Sequence, residues 1–382
     1  MRPLLVVDVS DPRALIEPLN NALFHDGPAV LPRPGGARVT QTAPLEVPDD
    51  IAVVIETSGT TGAPKRVALS ARAVIASAEA ANAALGGGGQ WLLVLPAHYI
   101  AGLQVITRSL LASTTPVVLH PEPFSSVAIA HHANELLELS SEQELFTALV
   151  PAQLQRILDD ASSMPVLDSL MQRFSRVLVG GQSIPEHLLA RSVERGYRIT
   201  RTYGSSETAG GCVWDQRPIG DTQVSVIDGR LAIGGSVIAE GYLEDPSRTA
   251  ASFIEREGAR WYLTDDQGSV GADGLVSVHG RLDDVIVSGG VKVSLLAIEK
   301  ALQAELGVTD VIAVGVPSER WGESPVVVST KALDVVRVRL IIQKALGPEA
   351  RPERVVTVSE IPTLSTGKTD RQAVQALVRE GS

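Results

Sequence analysis

Apolar residues in this chain come as short dense runs separated by longer segments with a helical rhythm, an alternation that predicts stacked layers of strands and helices. Met1 to Ser10 reads as a first strand. Residues 28 to 48 carry Pro28, Pro32, Pro34, Pro44 and Pro48 with Gly35 and Gly36, a composition that predicts a long irregular connection. The run Ile51 to Ile55 predicts a buried strand, and the alanine-rich Ser70 to Leu85 predicts a helix capped by Ser70. Glycines 86 to 89 then break the chain before a strand at Trp91 to Leu95. A helix is expected over Leu103 to Ala112 and a short strand over Pro116 to Leu119. From Ser126 to Asp160 the leucine and isoleucine spacing is helical, with Pro151 as the divider. A strand at Arg176 to Val179 ends at Gly180-Gly181, and Pro185 stands where the first turn of a helix favours proline.

The texture changes near Val224. Gln223 to Ile227 and Arg230 to Ile233 flank Asp228-Gly229, a strong hairpin signal, and Asp273-Gly274 is placed the same way between Ser269 and Val278. A compact tail follows: strands at Val285 to Val287, near Val311 to Val316, near Val326 to Thr330 and at Val355 to Val358, with helices at Leu295 to Leu306 and near Val335 to Leu346. The expectation is an α/β fold with appended antiparallel β, a large layered N-terminal domain over residues 1–282 and a small α+β C-terminal domain over 283–382.

Composition narrows the chemistry. Of 382 residues, 44% are hydrophobic and 20% charged, enough material for packed cores. A formal charge of -11 argues against a broad nucleic-acid or anionic-membrane surface, so an anionic substrate needs a local cluster of positive groups. Cys212 is the only cysteine, which rules out an internal disulfide or a thiolate metal cluster and fits a reducing cytoplasm. No window approaches the roughly 18 uninterrupted apolar residues of a membrane span, and the N-terminus has no leader-like pattern.

The candidate chemistry begins at Thr57-Ser58-Gly59-Thr60-Thr61-Gly62-Ala63-Pro64-Lys65, read as a loop between a strand and a helix. Backbone N–H groups at Gly59 and Gly62 and the Lys65 point charge suit a polyphosphate. The plainer alternative is a flexible surface turn. A second loop, Thr366-Gly367-Lys368-Thr369, superficially resembles the end of a nucleoside-triphosphatase P-loop, but Pro362 stands where that pattern needs its first glycine.

Thr57 to Lys65, Tyr203-Gly204-Ser205-Ser206-Glu207-Thr208, Tyr262 to Asp266, Gly280 to Asp284 and Pro362 to Lys368 occur in the order seen in adenylate-forming enzymes, so the chain resembles that superfamily over nearly its whole length. Within it, Trp91 to Gln104 and Asp283 to Gly290 most resemble the o-succinylbenzoate-CoA ligases of menaquinone biosynthesis in their short actinobacterial form. The resemblance implies ATP, Mg²⁺ and coenzyme A, with a carboxylate first attacking the α-phosphate and the coenzyme A thiol then attacking the acyl-adenylate. It leaves open a ligase for another aryl or acyl acid, or a non-catalytic adenylate-binding protein. Small molecules are the expected partners, with a homodimer open and neither nucleic acid nor stable membrane insertion expected.

The resemblance also assigns roles. Lys368, on a small domain that moves between half-reactions, bridges carboxylate and α-phosphate, and Thr208 hydrogen-bonds that phosphate. Thr57, Ser58, Gly59, Thr60, Thr61, Gly62 and Lys65 grip the pyrophosphate side. Gly180, Gly181 and Gln182 wall the adenine near Tyr203 and Gly204, Asp266 and Arg281 bind the ribose, and Glu207 holds the metal. Asp265 departs from the pattern, standing where glycine is usual. His98 gates the acid pocket, with Ser205 nearby, and Arg108 is the candidate counter-charge for the carboxylate that stays unreacted. Ser288, Gly289, Gly290 and Lys292 form the coenzyme A loop, and Asp283 is the hinge. Plain readings stand beside these: His98 as a structural histidine, Arg108 as an exposed helix arginine, Cys212 as a small buried residue.

Overall fold

The computed structural model describes residues 1–36, 46–57, 65–119, 124–139, 143–282, 284–308, 310–363 and 369–380. It contains two compact units, one of Met1–Ser225, Ala232–Thr264 and Ala272–Val276, the other of Val226–Leu231, Asp265–Gly271 and Ser277–Ser382.

In the first unit a six-stranded sheet runs in the order Gly241–Tyr242, Lys65–Ser70, Ile51–Thr57, Ala29–Arg33, Arg2–Asp8, Glu46–Val47. Ile51–Thr57 and Lys65–Ser70 are antiparallel neighbours, with Glu56 opposite Arg66 and Thr57 opposite Lys65. The loop at Thr57 to Lys65 therefore joins two strands, which corrects the strand-to-helix expectation. The apolar run Val67-Ala68-Leu69 is fully paired on the sheet before Ser70 caps the helix Ala71–Leu85 by accepting from the Ala73 N–H. The loop is thus not at that helix's N-terminus. The strand Ala29–Arg33 also overturns an expectation, since the prolines around it had predicted irregular chain. Pro32 sits opposite Val7 in a parallel pairing, and the other neighbour pairs at Val30 with Val53, so its missing N–H falls past that contact.

A seven-stranded sheet runs Arg217–Pro218, Gly210–Trp214, Ile199–Ser205, Arg176–Gly180, Leu145–Leu149, Gln90–Leu93, Val117–Val118. Its middle is parallel, as the α/β reading requires. Leu145–Leu149 is a strand, against the helical spacing of the stretch Ser126 to Asp160. All its residues are buried, and a short wholly buried run carries no periodicity to separate strand from helix. Helices Pro151–Asp160 and Pro165–Arg173 cover this sheet through Leu154, Ile157, Leu158, Leu167 and Leu170.

In the second unit Asp228 and Gly229 both take positive φ, 51° and 76°, as a two-residue hairpin turn requires. The strands Asp266–Val270 and Val276–Arg281 form a two-stranded sheet, as the Asp273-Gly274 signal predicted. A further sheet orders Val291–Ser294, Val285–Ser288, Gly322–Ser329 and Val311–Ser318, with Arg354–Thr357 parallel to Gly322–Ser329. Helices Leu295–Leu306 and Val335–Leu346 match the expected bounds and pack on one face through Ile298, Leu302, Val338 and Ile342. The helix Arg371–Glu380, not anticipated, covers the other face through Val374 and Val378.

Candidate functional site

In the first unit most candidate residues lie at strand ends and on tight turns, and Arg108 lies in the helix Ile100–Leu111. Thr57 and Lys65 close the facing strands, while Ser58, Gly59, Thr60, Thr61 and Gly62 lie outside the described residues. Both stems are fixed by charge. Glu56 takes Arg33 in a two-pronged contact, Nε to Oε2 at 2.9 Å and Nη2 to Oε1 at 2.7 Å, and Arg66 Nε at 3.1 Å. Burial alone would raise the Glu56 carboxyl, but the two guanidinium groups hold it below its ordinary value.

Gly180 ends its strand against Thr202, where a Cβ would fall 2.2 Å from Oγ1 and 2.8 Å from the carbonyl oxygen, so only glycine fits. Gly181 and Gln182 continue from it into the turn. Tyr203 and Gly204 lie in the paired strand Ile199–Ser205, whose register shifts between them. The strand then enters the single turn Ser206–Thr208. Thr208 is fully buried, and its hydroxyl accepts from the Ser205 N–H at 2.9 Å and donates to the Gly210 carbonyl at 2.8 Å. That hydroxyl is engaged in holding the turn. Ser205 Oγ, by contrast, is buried without a hydrogen-bond partner among the described residues.

Glu207 is 7% exposed, and its Oε1 accepts from the Tyr242 hydroxyl at 2.9 Å. The Ala209 carbonyl accepts from Ser77 Oγ at 2.9 Å and from Gln104 Nε2 at 2.8 Å, which ties the turn to the helices Ala71–Leu85 and Ile100–Leu111. Tyr242, Ser77 and Gln104 had no assigned role. They meet this turn from far along the chain, so no local pattern marks them. Among the described residues no group of three or more His, Cys, Asp or Glu is placed to hold a metal. A single buried carboxylate fits Mg²⁺, a hard ion that shares its coordination between protein and substrate phosphates.

The acid-side candidates differ in kind. The His98 ring lies against that of Tyr99, centroids 4.0 Å apart and planes tilted by 50°, and burial pulls its imidazole down to about 4, so it is neutral at neutral pH and offers a hydrogen bond rather than a charge. Arg108, in the helix Ile100–Leu111, is 4% exposed and lies 5.1 Å over the Trp91 ring. The exposed-arginine reading therefore fails. Its Nε has no hydrogen-bond partner, nor does Trp91 Nε1, and no salt bridge to Arg108 exists among the described residues. Burial lowers the guanidinium to about 10, which leaves it charged at neutral pH. Cys212 is buried with its thiol pushed up to about 12, a small packed residue and not a nucleophile.

In the second unit Asp266 begins and Arg281 ends the paired strands Asp266–Val270 and Val276–Arg281. The side chain of Asp265 is accommodated by charge, 2.9 Å from Arg230 Nη2 and 3.7 Å from Arg281 Nη2. Ser288 Oγ is buried and has no hydrogen-bond partner among the described residues. Gly289 has a φ of 57°, and a Cβ there would fall 2.6 Å from the Trp321 ring, while Gly290 faces open space. Lys292 is exposed, opposite Val287. Asp283 and Lys368 lie outside the described residues. Arg371 joins Asp284 at 3.3 Å and Glu299 at 2.9 Å. No helix among the described residues is long and apolar enough to cross a membrane.

Residues 5–243 match the family of AMP-binding enzymes and residues 297–368 the AMP-binding enzyme C-terminal domain. A probable 2-succinylbenzoate–CoA ligase of Mycobacterium tuberculosis is 34% identical over 98% of this chain and 97% of its own length. A 2-succinylbenzoate–CoA ligase of Listeria monocytogenes is 28% identical over 85% of this chain and 69% of its own. Among solved structures, the o-succinylbenzoate CoA synthetase of Bacillus subtilis, in complex with its acyl-adenylate intermediate, superposes with a TM-score of 0.74, covering 98% of this chain and 78% of that one at 21% identity.

Proposed function

We infer that this chain, which belongs to the family of AMP-binding enzymes, ligates o-succinylbenzoate to coenzyme A through an acyl-adenylate, releasing AMP and pyrophosphate, as a cytoplasmic step of menaquinone biosynthesis. The observation that carries the substrate is Arg108. A guanidinium withdrawn from water with no counter-charge among the described residues is unfavourable by several kcal/mol, on the order of the penalty for an unpaired buried ion, and a ligand carboxylate relieves it. A dicarboxylic acid that reacts through one carboxylate supplies such a group with the other.

Both half-reactions are displacements at an electrophile. One carboxylate oxygen bonds to the α-phosphorus as the bond to pyrophosphate breaks. The coenzyme A sulfur then bonds to the carbonyl carbon as AMP leaves, and the thiol proton passes to solvent. The protein's task is orientation and charge stabilisation. Thr57 to Lys65 grip the leaving phosphates, Asp266 and Arg281 the ribose, and Gly180 to Gln182 with Tyr203 and Gly204 the adenine. His98, neutral, and Ser205 serve the acid. Mg²⁺, when bound at Glu207, screens phosphate charge. Lys368, on the small domain beginning near the hinge Asp283, stabilises charge in the first step. Ser288, Gly289, Gly290 and Lys292 serve coenzyme A.

An acid panel scored by pyrophosphate release and by thioester formation tests the assignment. Activity with o-succinylbenzoate above that with benzoates, arylacetates and fatty acids is expected. Inactivity with o-succinylbenzoate beside activity on another acid overturns the substrate.

A further inference from the structure

Glu207 is assigned the metal, and what holds Glu207 is visible at atomic detail within the first unit. Its carboxylate sits on a single turn, Ser206–Thr208, followed by Ala209 in the left-handed conformation at a φ of 49°. A carboxylate on so short an element has few neighbours of its own element to fix its rotamer. The segment Ala239 to Tyr242 supplies them from outside. The Ala239 N–H donates to the Glu207 carbonyl at 2.8 Å, and the Tyr242 hydroxyl donates to Oε1 at 2.9 Å. Backbone and side chain of Glu207 are thus gripped by one short piece of chain.

The same piece grips the phosphate loop's stem. Gly241–Tyr242 pairs antiparallel with Lys65–Ser70, with Tyr242 opposite Val67 and Gly241 opposite Ala68. The Glu240 N–H donates to the Ala68 carbonyl and the Leu243 N–H to the Arg66 carbonyl, at 2.9 and 2.8 Å. Lys65 Nζ lies 5.7 Å from the centroid of the Tyr242 ring, within cation–π range. The ring is itself held edge-on by Phe253, centroids 5.7 Å apart, and Tyr242 is 6% exposed. One tyrosine therefore touches the loop's lysine with its face and the turn's carboxylate with its hydroxyl.

We propose that Tyr242 is a positioning residue for the metal–triphosphate complex: its hydroxyl holds the Glu207 carboxylate in the orientation that receives the cation, at a fixed place relative to Lys65. The inference rests on the assignment of Glu207 as the metal carboxylate. Residues that orient a ligating group through its second atom set affinity by about 10- to 100-fold when removed, whereas one neutral hydrogen bond contributes only about 1 kcal/mol to stability.

Two variants, Tyr242→Phe and Glu207→Gln, and their double variant decide it. Mn²⁺ binding in the presence of a non-hydrolysable ATP analogue is measured by electron paramagnetic resonance, with the Tm of each free protein alongside. Tyr242→Phe keeps the ring over Lys65 and loses only the hydroxyl. Its Mn²⁺ affinity is expected to fall about tenfold with a Tm within about 4 °C of wild type. In the Glu207→Gln background the same change is expected to shift Mn²⁺ affinity less than twofold, because the carboxylate it orients is gone. Wild-type Mn²⁺ affinity in Tyr242→Phe overturns the proposal while leaving the Glu207 assignment standing. An equal loss in both backgrounds also overturns it, since that assigns Tyr242 a general structural role. Glu207→Gln with undiminished Mn²⁺ affinity removes the metal assignment and the proposal with it.

Discussion

Arg66 and Arg108 lie in the same unit and are withdrawn from water almost equally, 8% and 4% exposed, yet their charges are settled in opposite ways. Arg66 Nε meets Glu56 at 3.1 Å and its Nη1 meets Glu244 at 2.9 Å, and Glu56 is shared with Arg33. Arg108 has an indole face and an unpartnered Nε. Where the chain supplies the carboxylates, the charge holds two strands together at the base of a loop. Where it supplies none among the described residues, the counter-charge is left for a ligand.

The comparison can be stressed at several points. The largest effect is expected at Lys368, for which we propose contact with the reacting carboxylate and the α-phosphate. Lys368→Ala is predicted to lower pyrophosphate release by about 10³-fold while a supplied acyl-adenylate is still converted to thioester, and equal loss of both steps would count against the role. Next comes the paired network. Glu56→Gln strands Arg33 and leaves Arg66 with Glu244 alone, and is expected to destabilise the protein by about 3 kcal/mol, read as a lower denaturant midpoint at unchanged slope.

Sharper still is the pair Arg66→Met and Arg108→Met measured side by side. The first leaves Glu56 and Glu244 short of a partner and lowers stability. The second removes a charge that nothing in the described chain balances, so stability is unchanged or rises by about 1 kcal/mol. Two destabilised variants would erase the distinction.

The smallest effect is in pH. His98 is held neutral when folded, its pKa drawn from 6.5 to about 4 by burial. Below 6.5 the unfolded chain takes up a proton there that the folded protein refuses. Stability is therefore full above that value and is lost as pH falls towards 4. His98→Gln should lose less stability than wild type between pH 6.5 and 4; parallel pH profiles would contradict the burial of that ring.

Much of this organisation was legible in the residues. Ser70 as a cap, the helix Leu295–Leu306, the Asp228-Gly229 hairpin and the parallel α/β layering follow from local chemistry alone. The failures share a physical cause. Leu145–Leu149 and Lys65–Ser70 are strands because of what lies beside them, and an apolar run of that length is silent on which structure it enters. Pro32 is tolerated because of where its neighbour's ladder stops. The candidate site behaved likewise. The hydrogen bond from Tyr242 to Glu207 and the lack of a counter-charge to Arg108 among the described residues are properties of tertiary packing. Asp265, odd as a letter in a motif, becomes intelligible beside Arg230 and Arg281.

We propose that Arg108 receives the carboxylate that does not react. The direct test is pyrophosphate release by wild type and by Arg108→Met, each with o-succinylbenzoate and with the analogue whose unreacted carboxylate is replaced by hydrogen. Wild type is predicted to favour the dicarboxylate by about 10²-fold in kcat/KM, and Arg108→Met to lose that preference with its KM for ATP unchanged. A preference that survives intact in Arg108→Met would contradict the account.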